Sequence, residues 1–548
     1  MKRRNFLKIL PPLGVTPFVM NGMAMKPFAN SKIAGVLSSC EGIEDRTLVL
    51  IQMSGGNDGM NMVVPVPQYD RYAELRPTVK LDLNSLIMLD ATLPNGDQVG
   101  LHPNMTGVKA LYDRGYASIV QAVGYSSMNQ SHFKGTDLWL SGGGGSSALN
   151  NIPTGWMGRS LQALYPDVYG APTAGMLDPL GIELGSPTSS LGFHTETEHK
   201  SSINLSGQDP AGFYSLVQTI GGAPITEVPD TDHGHELEYI MNVERSMDLY
   251  SQRITQVFGA GTNAKTYPNN SFANQLKTIA RMVKGGCKTK IFLCQIGGFD
   301  THATQVDITN TSVGAHANLM KTLSDGIQTF FDDLDAMGLS DRVMACTFSE
   351  FGRCAKENGT NGTDHGTLAP MMVFGKAVRP KVHGTNVNLN DLTTDNQVKN
   401  LQFDYRQIFA TLLQDWLGAN PHVMEEGLIA NYQKMFLVEK AMTVNPACYY
   451  GGSPTVSDIF KPATPLTLAP NPASVTVEVT YEAERPFEAR MSLYGLNGRL
   501  VTTSTEYVYK GTNVFYLDVS SLPVGIFFLR MEDKISGKAD IVRLSVIR

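Results

Sequence analysis

The sequence predicts an α/β fold, with a largely parallel sheet covered by helices on both faces and a small β-sandwich appended after it. Three observations predict it. Short apolar runs closed by glycine or polar residues alternate with longer stretches of helical period. Clusters of acids, histidines and glycines follow the ends of those runs, the place where an open parallel sheet gathers its ligands. Past Pro454 only strand signals remain. A chain of 548 residues exceeds one ordinary core, so a main domain over 41–453 and a second over 466–548 are expected, with a proline-bearing linker at 454–465 between them.

Residues 1–40 read as an export leader, because Arg3 and Arg4 precede an apolar stretch too short, and too broken by Pro11 and Pro12, to span a membrane. The runs "RTLVLIQM" (46–53), "ASIVQAVGY" (117–125), "KIFLCQIG" (290–297), "RVMACTFS" (342–349) and "MMVFG" (371–375) are short and apolar, as buried strands are. Helices are expected at Asn104–Arg114, Leu237–Phe258, Phe272–Lys284 and Tyr405–Leu417. The clearest helix sets Leu319, Leu323, Ile327, Phe330, Phe331 and Leu334 on one face and stops at Gly338. Strands and helices in this rhythm give a parallel sheet clothed on both sides. Residues 142–232, rich in Gly, Ser and Thr, read as an insertion of loops, either a roof over the site or surface decoration. Beyond 466, alternating Val475, Val477 and Val479, then "EARMSLYGL", "NVFYLDV", "GIFFLRM" and "ADIVRLSVI", form the strands of the β-sandwich.

The 44 basic and 51 acidic side chains leave a net charge of −7 spread along the chain, which gives no electrostatic case for nucleic acid. The six cysteines (Cys40, Cys287, Cys294, Cys346, Cys354 and Cys448) lack the short paired spacings of zinc modules; Cys287, Cys294 and Cys346 read as buried thiols, and export leaves disulfides open with a connectivity that spacing does not give. "LSSC" offers Cys40 as a lipid attachment point, though far from the charged start.

Four polar clusters follow strand ends. In "SGGNDGMN", Gly55 and Gly56 allow a tight turn, and Asp58 is either an Asx-type turn residue or a metal ligand, with Asn57 beside it as a candidate anion contact. In "NQSHFKGTDLWLSG", Ser131 or Asn129 caps a helix starting near His132; a serine there is a plain cap or a nucleophile, and His132 is a candidate anion contact. "GGFDTHATQ" supplies Asp300 and His302, which converge on one ion only if the backbone turns. "TFSEFGRCAKENGTNGTDHGTLAP" supplies Glu350 at a strand end, Arg353 as an anion contact or a partner of Glu350, and Asp364 with His365 in a Gly/Thr loop. Imidazole with carboxylates suits zinc, manganese or iron, whereas carboxylates alone suit magnesium or calcium. No "GxGxxG" stands at a strand end, which disfavours a dinucleotide-dependent oxidoreductase.

"LVLIQMSGGNDGMNMVVP", "SHF", "DLW", "GGFDTH", "SEFGR" and "GTDHG", in that order, resemble the bacterial DUF 1501 family over about Arg46 to Gly418. That family is similar to the alkaline phosphatase and sulfatase superfamily. The resemblance implies a three-layer α/β/α sandwich and two-metal hydrolysis of phosphate or sulfate esters, on a small-molecule or glycan substrate. It implies further that Asp58, Asp300 and His365 hold metal and that Ser131 is the nucleophile, with "SEFG" (Ser349–Gly352) in the place of a metal-binding "SDHG". Two departures stand out: Phe351 occupies a histidine position, and His302 follows Asp300 by two residues where four are usual. Phe351 cannot ligate, and so keeps open the alternative of a non-catalytic surface binding protein with the same fold. "APNPAS" (469–474), "LNGRLV" (496–501) and "LPVGIFFLRM" (522–531) resemble a type A sorting domain of the type IX secretion system, implying export machinery as partner and a cell-surface or secreted destination. The leader resembles a twin-arginine signal.

Overall fold

The computed structural model describes residues 18–20, 23–25, 40, 42–451 and 466–547, apart from 148, 169, 186–188, 196–201, 206–230, 232–240, 242–247, 484, 496–499 and 535–538. Nearly all of the leader, the linker at 454–465 and much of the expected 142–232 insertion lie outside the described residues.

The main sheet has nine strands: β1 (Thr47–Met53), β2 (Ala117–Gly124), β3 (Gly181–Glu183), β4 (Ser202–Asn204), β5 (Ile291–Ile296), β6 (Val343–Phe348), β7 (Ala369–Phe374), β8 (Val382–His383) and β9 (Phe403–Asp404). They lie side by side as β8-β2-β7-β6-β1-β5-β3-β4, with β9 also on β2. Every neighbouring pair is parallel except those of β7, which runs against both β6 and β2. All five expected strands are present. The central strand β1 is buried along its whole length, as a strand covered on both faces must be.

Alternation along β1 feeds two cores. Val49, Ile51 and Met53 point to one side, against helices α1 (Thr106–Asp113), α4 (Ser271–Lys284) and α5 (Ala315–Ala336). Leu48 and Leu50 point to the other, against α2 (His132–Ser141), α3 (Trp156–Leu164) and α6 (Tyr405–Thr411). A helical layer on each face of a mostly parallel sheet is the expected three-layer sandwich. Caps follow the sequence: Asn270 accepts from the Ala273 amide, and Asp404 with Gln407 forms a capping box.

The expectation that 142–232 is only loops needs correction, since it contributes α3 and the strands β3 and β4. These strands are three residues each, and a three-residue strand in a Gly/Ser-rich context leaves no period to detect. Of the helix expected over Leu237–Phe258, residues 248–260 are helical and most of the remainder lies outside the described residues.

The C-terminal region has two antiparallel sheets. One joins Leu466–Ala469, Thr476–Ala483 and Gly511–Asp518; the other joins Leu500–Val508, Phe487–Gly495, Gly525–Asp533 and Ala539–Val546. Val477, Val479, Ala489, Leu529 and Leu544 from the two sheets share one core, which makes the predicted β-sandwich. Among the described residues no helix is long and apolar enough to cross a membrane.

Cys40 and Cys448 form a disulfide across 408 residues of sequence, while Cys287, Cys294, Cys346 and Cys354 are buried thiols. Engaged in that bond, the Cys40 thiol is not open to lipid attachment. Closing so long a loop restricts the unfolded chain. Replacing both cysteines by serine is expected to lower stability by about 2–4 kcal/mol while leaving the fold intact. Denaturant melts of the variant and the oxidised protein check this; identical midpoints would show that the bond carries no stability.

Candidate functional site

The carboxyl ends of β1, β5 and β6 open onto one edge, and β2 leads to the same edge through the turn before α2. Because β7 runs the opposite way, its beginning lies at this edge too, beside those ends. This is how His365, which precedes a strand, meets residues that follow strands. It sits on a hairpin, Arg353–Glu357 with Thr363–His365, in which Arg353 pairs with His365.

At the centre is Asp300, about half exposed. Three imidazoles turn Nε2 toward its carboxylate: His132 at 3.4 Å, His302 at 3.3 Å and His365 at 3.3 Å. Each ring is held from behind through Nδ1. His132 bonds Glu350 Oε1 at 2.9 Å, His365 bonds the Gln130 carbonyl at 2.8 Å, and His302 bonds Asp364 Oδ1 at 3.1 Å. Those acceptors call for a proton on Nδ1, which leaves the Nε2 lone pair facing inward. His132 Nε2 is buried and has no hydrogen-bond partner among the described residues. One donor atom from each of His132, Asp300 and His365 lies within 4.8 Å of the others.

Beneath this group lies Arg353, fully buried. Its Nε donates to Gly56 O at 2.6 Å, Nη1 to Thr363 O at 2.8 Å, and Nη2 to Phe299 O at 3.0 Å, to Gly55 O, and to Asp300 Oδ1 at 2.7 Å. Phe351, also buried, places its ring 4.9 Å from that of His132 and 4.6 Å from that of His365, an apolar floor under both. Gly55 and Gly56 have φ of +122° and +76°, and a Cβ on them would fall 2.3 Å from the Asp300 amide and 2.3 Å from the Phe351 ring. Helix α2 is drawn to the site by Trp139, whose indole donates to the Glu350 carbonyl at 2.9 Å.

Burial tends to raise the Asp300 carboxyl, but the Arg353 hydrogen bond and charge outweigh it and the group sits below its ordinary value. The Glu350 hydrogen bond raises His132; burial, with Arg353 close by, lowers His365.

Asp58 is not part of this group. It is fully buried, pairs with Arg76 at 2.6 Å, accepts from Gln305 Nε2 at 2.6 Å and caps the turn at Met60 and Asn61. Arg76 has a partner at each of its nitrogens, donating also to Asn61, Ala355 O and Cys354 O. Asn57 likewise faces inward, toward Met62 Sδ at 3.1 Å and His316 Nε2 at 3.2 Å, and so is not an anion contact. The anion role for Arg353 also falls away: its donors are spent on carbonyls and on Asp300, which, in place of Glu350, is its ion-pair partner. Glu350 and Asp364, expected as ligands, stand behind His132 and His302. Ser131 is exposed at the N-terminus of α2, next to His132, and makes no capping bond with its side chain. Gln130, Gln305 and Arg76 were not legible as site residues; the polar run "NQSH" was the one signal, and a carbonyl's role leaves no trace in residue type.

A family model described as protein of unknown function (DUF1501) matches residues 45–428. The chain belongs to that family. A second model, for the secretion system C-terminal sorting domain, matches residues 467–542 of this DUF1501 chain, which marks it for secretion across the outer membrane to the cell surface or the medium. No curated protein matches it with significance.

Among solved structures, an alkaline phosphatase superfamily protein from Vibrio parahaemolyticus is 9% identical, with 91% of this chain and 82% of that one covered and a TM-score of 0.27. The PsFucS1 sulfatase from Pseudoalteromonas sp. is 9% identical over 94% and 91% of the two chains, at 0.27. PorZ, a surface component of the type IX secretion system of Porphyromonas gingivalis, is 18% identical over 18% of this chain and 13% of its own, at 0.13. At such scores these likenesses carry no argument about what the DUF1501 chain does; its fold stands on its own sheet.

Burial pushes the Asp58 carboxyl up, but Arg76 and its hydrogen bonds hold it at about 2, below the ordinary 3.8. A lowered carboxyl stabilises the fold above pH 3.8 and loses that contribution as pH falls toward 2. Replacing Asp58 by Asn strands the buried Arg76 charge, at an expected cost of about 3–5 kcal/mol. Urea melts at neutral pH check this, and a variant as stable as the parent would refute the structural role.

Proposed function

We propose that the protein is an exported metal-dependent hydrolase of phosphate or sulfate esters. The observation that carries this is the convergence of imidazole Nε2 atoms on the Asp300 carboxylate at the sheet edge. Inward lone pairs from His132 and His365 beside a carboxylate form a donor set that fits zinc, manganese or iron, and the Glu350 and Gln130 contacts are the outer supports such ligands have. A divalent ion bound there would polarise an ester oxygen and favour ionisation of a nearby hydroxyl.

The chain's own residues supply the remainder. Ser131, at the N-terminus of α2, has its hydroxyl uncommitted to capping and is the attacking group, carried at the partially positive end of the helix. His302, 44% exposed and oriented by Asp364, is the imidazole whose Nε2 would take the proton that Ser131 gives up on attack and return it to the departing oxygen. Asn358 Nδ2 donates to the same Asp364 oxygen at 3.0 Å and steadies the pair. Arg353 holds Asp300 ionised and fixes the loops that carry it. The open setting of the site suits a small-molecule or glycan ester outside the cell. The same proposal includes first export through the twin-arginine leader at Arg3 and Arg4.

Phe351 and the sealed Asp58 favour the second interpretation, a surface protein that binds without turnover. The two separate experimentally. Full-length protein is expected to contain metal and to hydrolyse an aryl phosphate or aryl sulfate, with activity removed by chelator and restored by zinc or manganese. Replacing His365 by Ala is expected to lower both metal content and rate at least tenfold, or about 1.4 kcal/mol. Absence of bound metal together with absence of turnover under every metal supplement would end the hydrolase interpretation.

A further inference from the structure

The resemblance implies two metal ions; the side chains at this edge argue for one. We infer that the site takes a single divalent cation on His132, Asp300 and His365, and that Asp58, which would serve a second ion, is withheld from metal by Arg76 and Gln305. The inference rests on the proposed metal dependence and deepens it.

Separation of the donors supports one ion. The inward nitrogens of His132 and His365 lie 3.4 and 3.3 Å from Asp300 oxygens. Ligands of one tetrahedral ion with bonds of about 2.0–2.1 Å lie about 3.3 Å apart. The buried His132 Nε2, lacking a partner among the described residues, is a lone pair pointed at that position. Two imidazole lone pairs and a carboxylate crowded this closely favour a positive charge among them, and Arg353 bonds Asp300 but neither ring.

Charge gives the same count. Asp300, Glu350 and Asp364 contribute three negative charges around the group, and the buried Arg353, 2.7 Å from Asp300, removes one. The remainder matches one divalent ion. Arg76 already neutralises Asp58, both with side chains 0% exposed, so that carboxylate brings no charge to the site. A second cation would have to displace a guanidinium from a buried, fully bonded pocket. It would also find no donor where Phe351 lies against His132 and His365.

The test is to strip full-length protein with chelator, titrate it with zinc or manganese by calorimetry, and count retained ions by elemental analysis. One ion per chain is expected, with binding weakened at least tenfold in each of His132→Ala and His365→Ala. Glu350→Gln, which touches no ion, is expected to weaken binding about 10–100-fold by loosening His132. Circular dichroism of each variant establishes that it is folded before binding is compared. Two ions bound with similar affinity would overturn the inference while leaving a metal-dependent hydrolase standing. One ion bound without turnover on any ester would do the reverse. Unchanged binding in folded His132→Ala and His365→Ala would overturn the assignment of the ligands.

Discussion

The buried guanidinium of Arg353 is the constraint on which the site depends. A charge removed from water needs nearly every donor satisfied, and this one is satisfied by Gly55, Gly56, Phe299 and Thr363 carbonyls together with Asp300. Those acceptors belong to the loops after β1 and β5 and to the hairpin before β7. A planar fork with fixed donor directions holds these loops in one mutual arrangement. The Asp58–Arg76 pair adds a second tie, binding the β1 loop to the hairpin through Cys354 and Ala355, and to Gln305 beyond β5. Two glycines at 55 and 56 let the backbone come close enough for both ties to close.

Most of the scaffold was legible because it rests on local signals. The runs around β1, β2, β5, β6 and β7 are apolar and short, and the face of α5 repeats with helical period. What could not be read is direction and partnership. Nothing in "APMMVF" says that β7 runs against its neighbours, yet that reversal puts His365 at the carboxyl edge. Asp58 stands at a strand end, where the resemblance implied a metal contact, and only Arg76, eighteen residues on and packed against it, turns it inward. His132 shows the same limit: the sequence places it at the start of a helix as a candidate anion contact, and only the Glu350 bond reveals that its Nε2 turns toward Asp300.

Phe351 changes meaning in this light. As an isolated letter it counts against metal chemistry, since an aromatic ring has no lone pair to give. In place, it supports two imidazole planes from below, against a backbone that tolerates it only because residue 56 is glycine. A departure from a family pattern can therefore remove one imidazole and brace the two imidazoles beside it.

The bond between Cys40 and Cys448 also ties the chain to its surroundings. It joins residues 408 apart, and disulfides form and persist chiefly where the surroundings are oxidising. The four remaining thiols are shut inside, beyond the reach of the same oxidant. A chain with this bond suits the oxidising surroundings beyond the cytoplasm to which its sorting domain directs it.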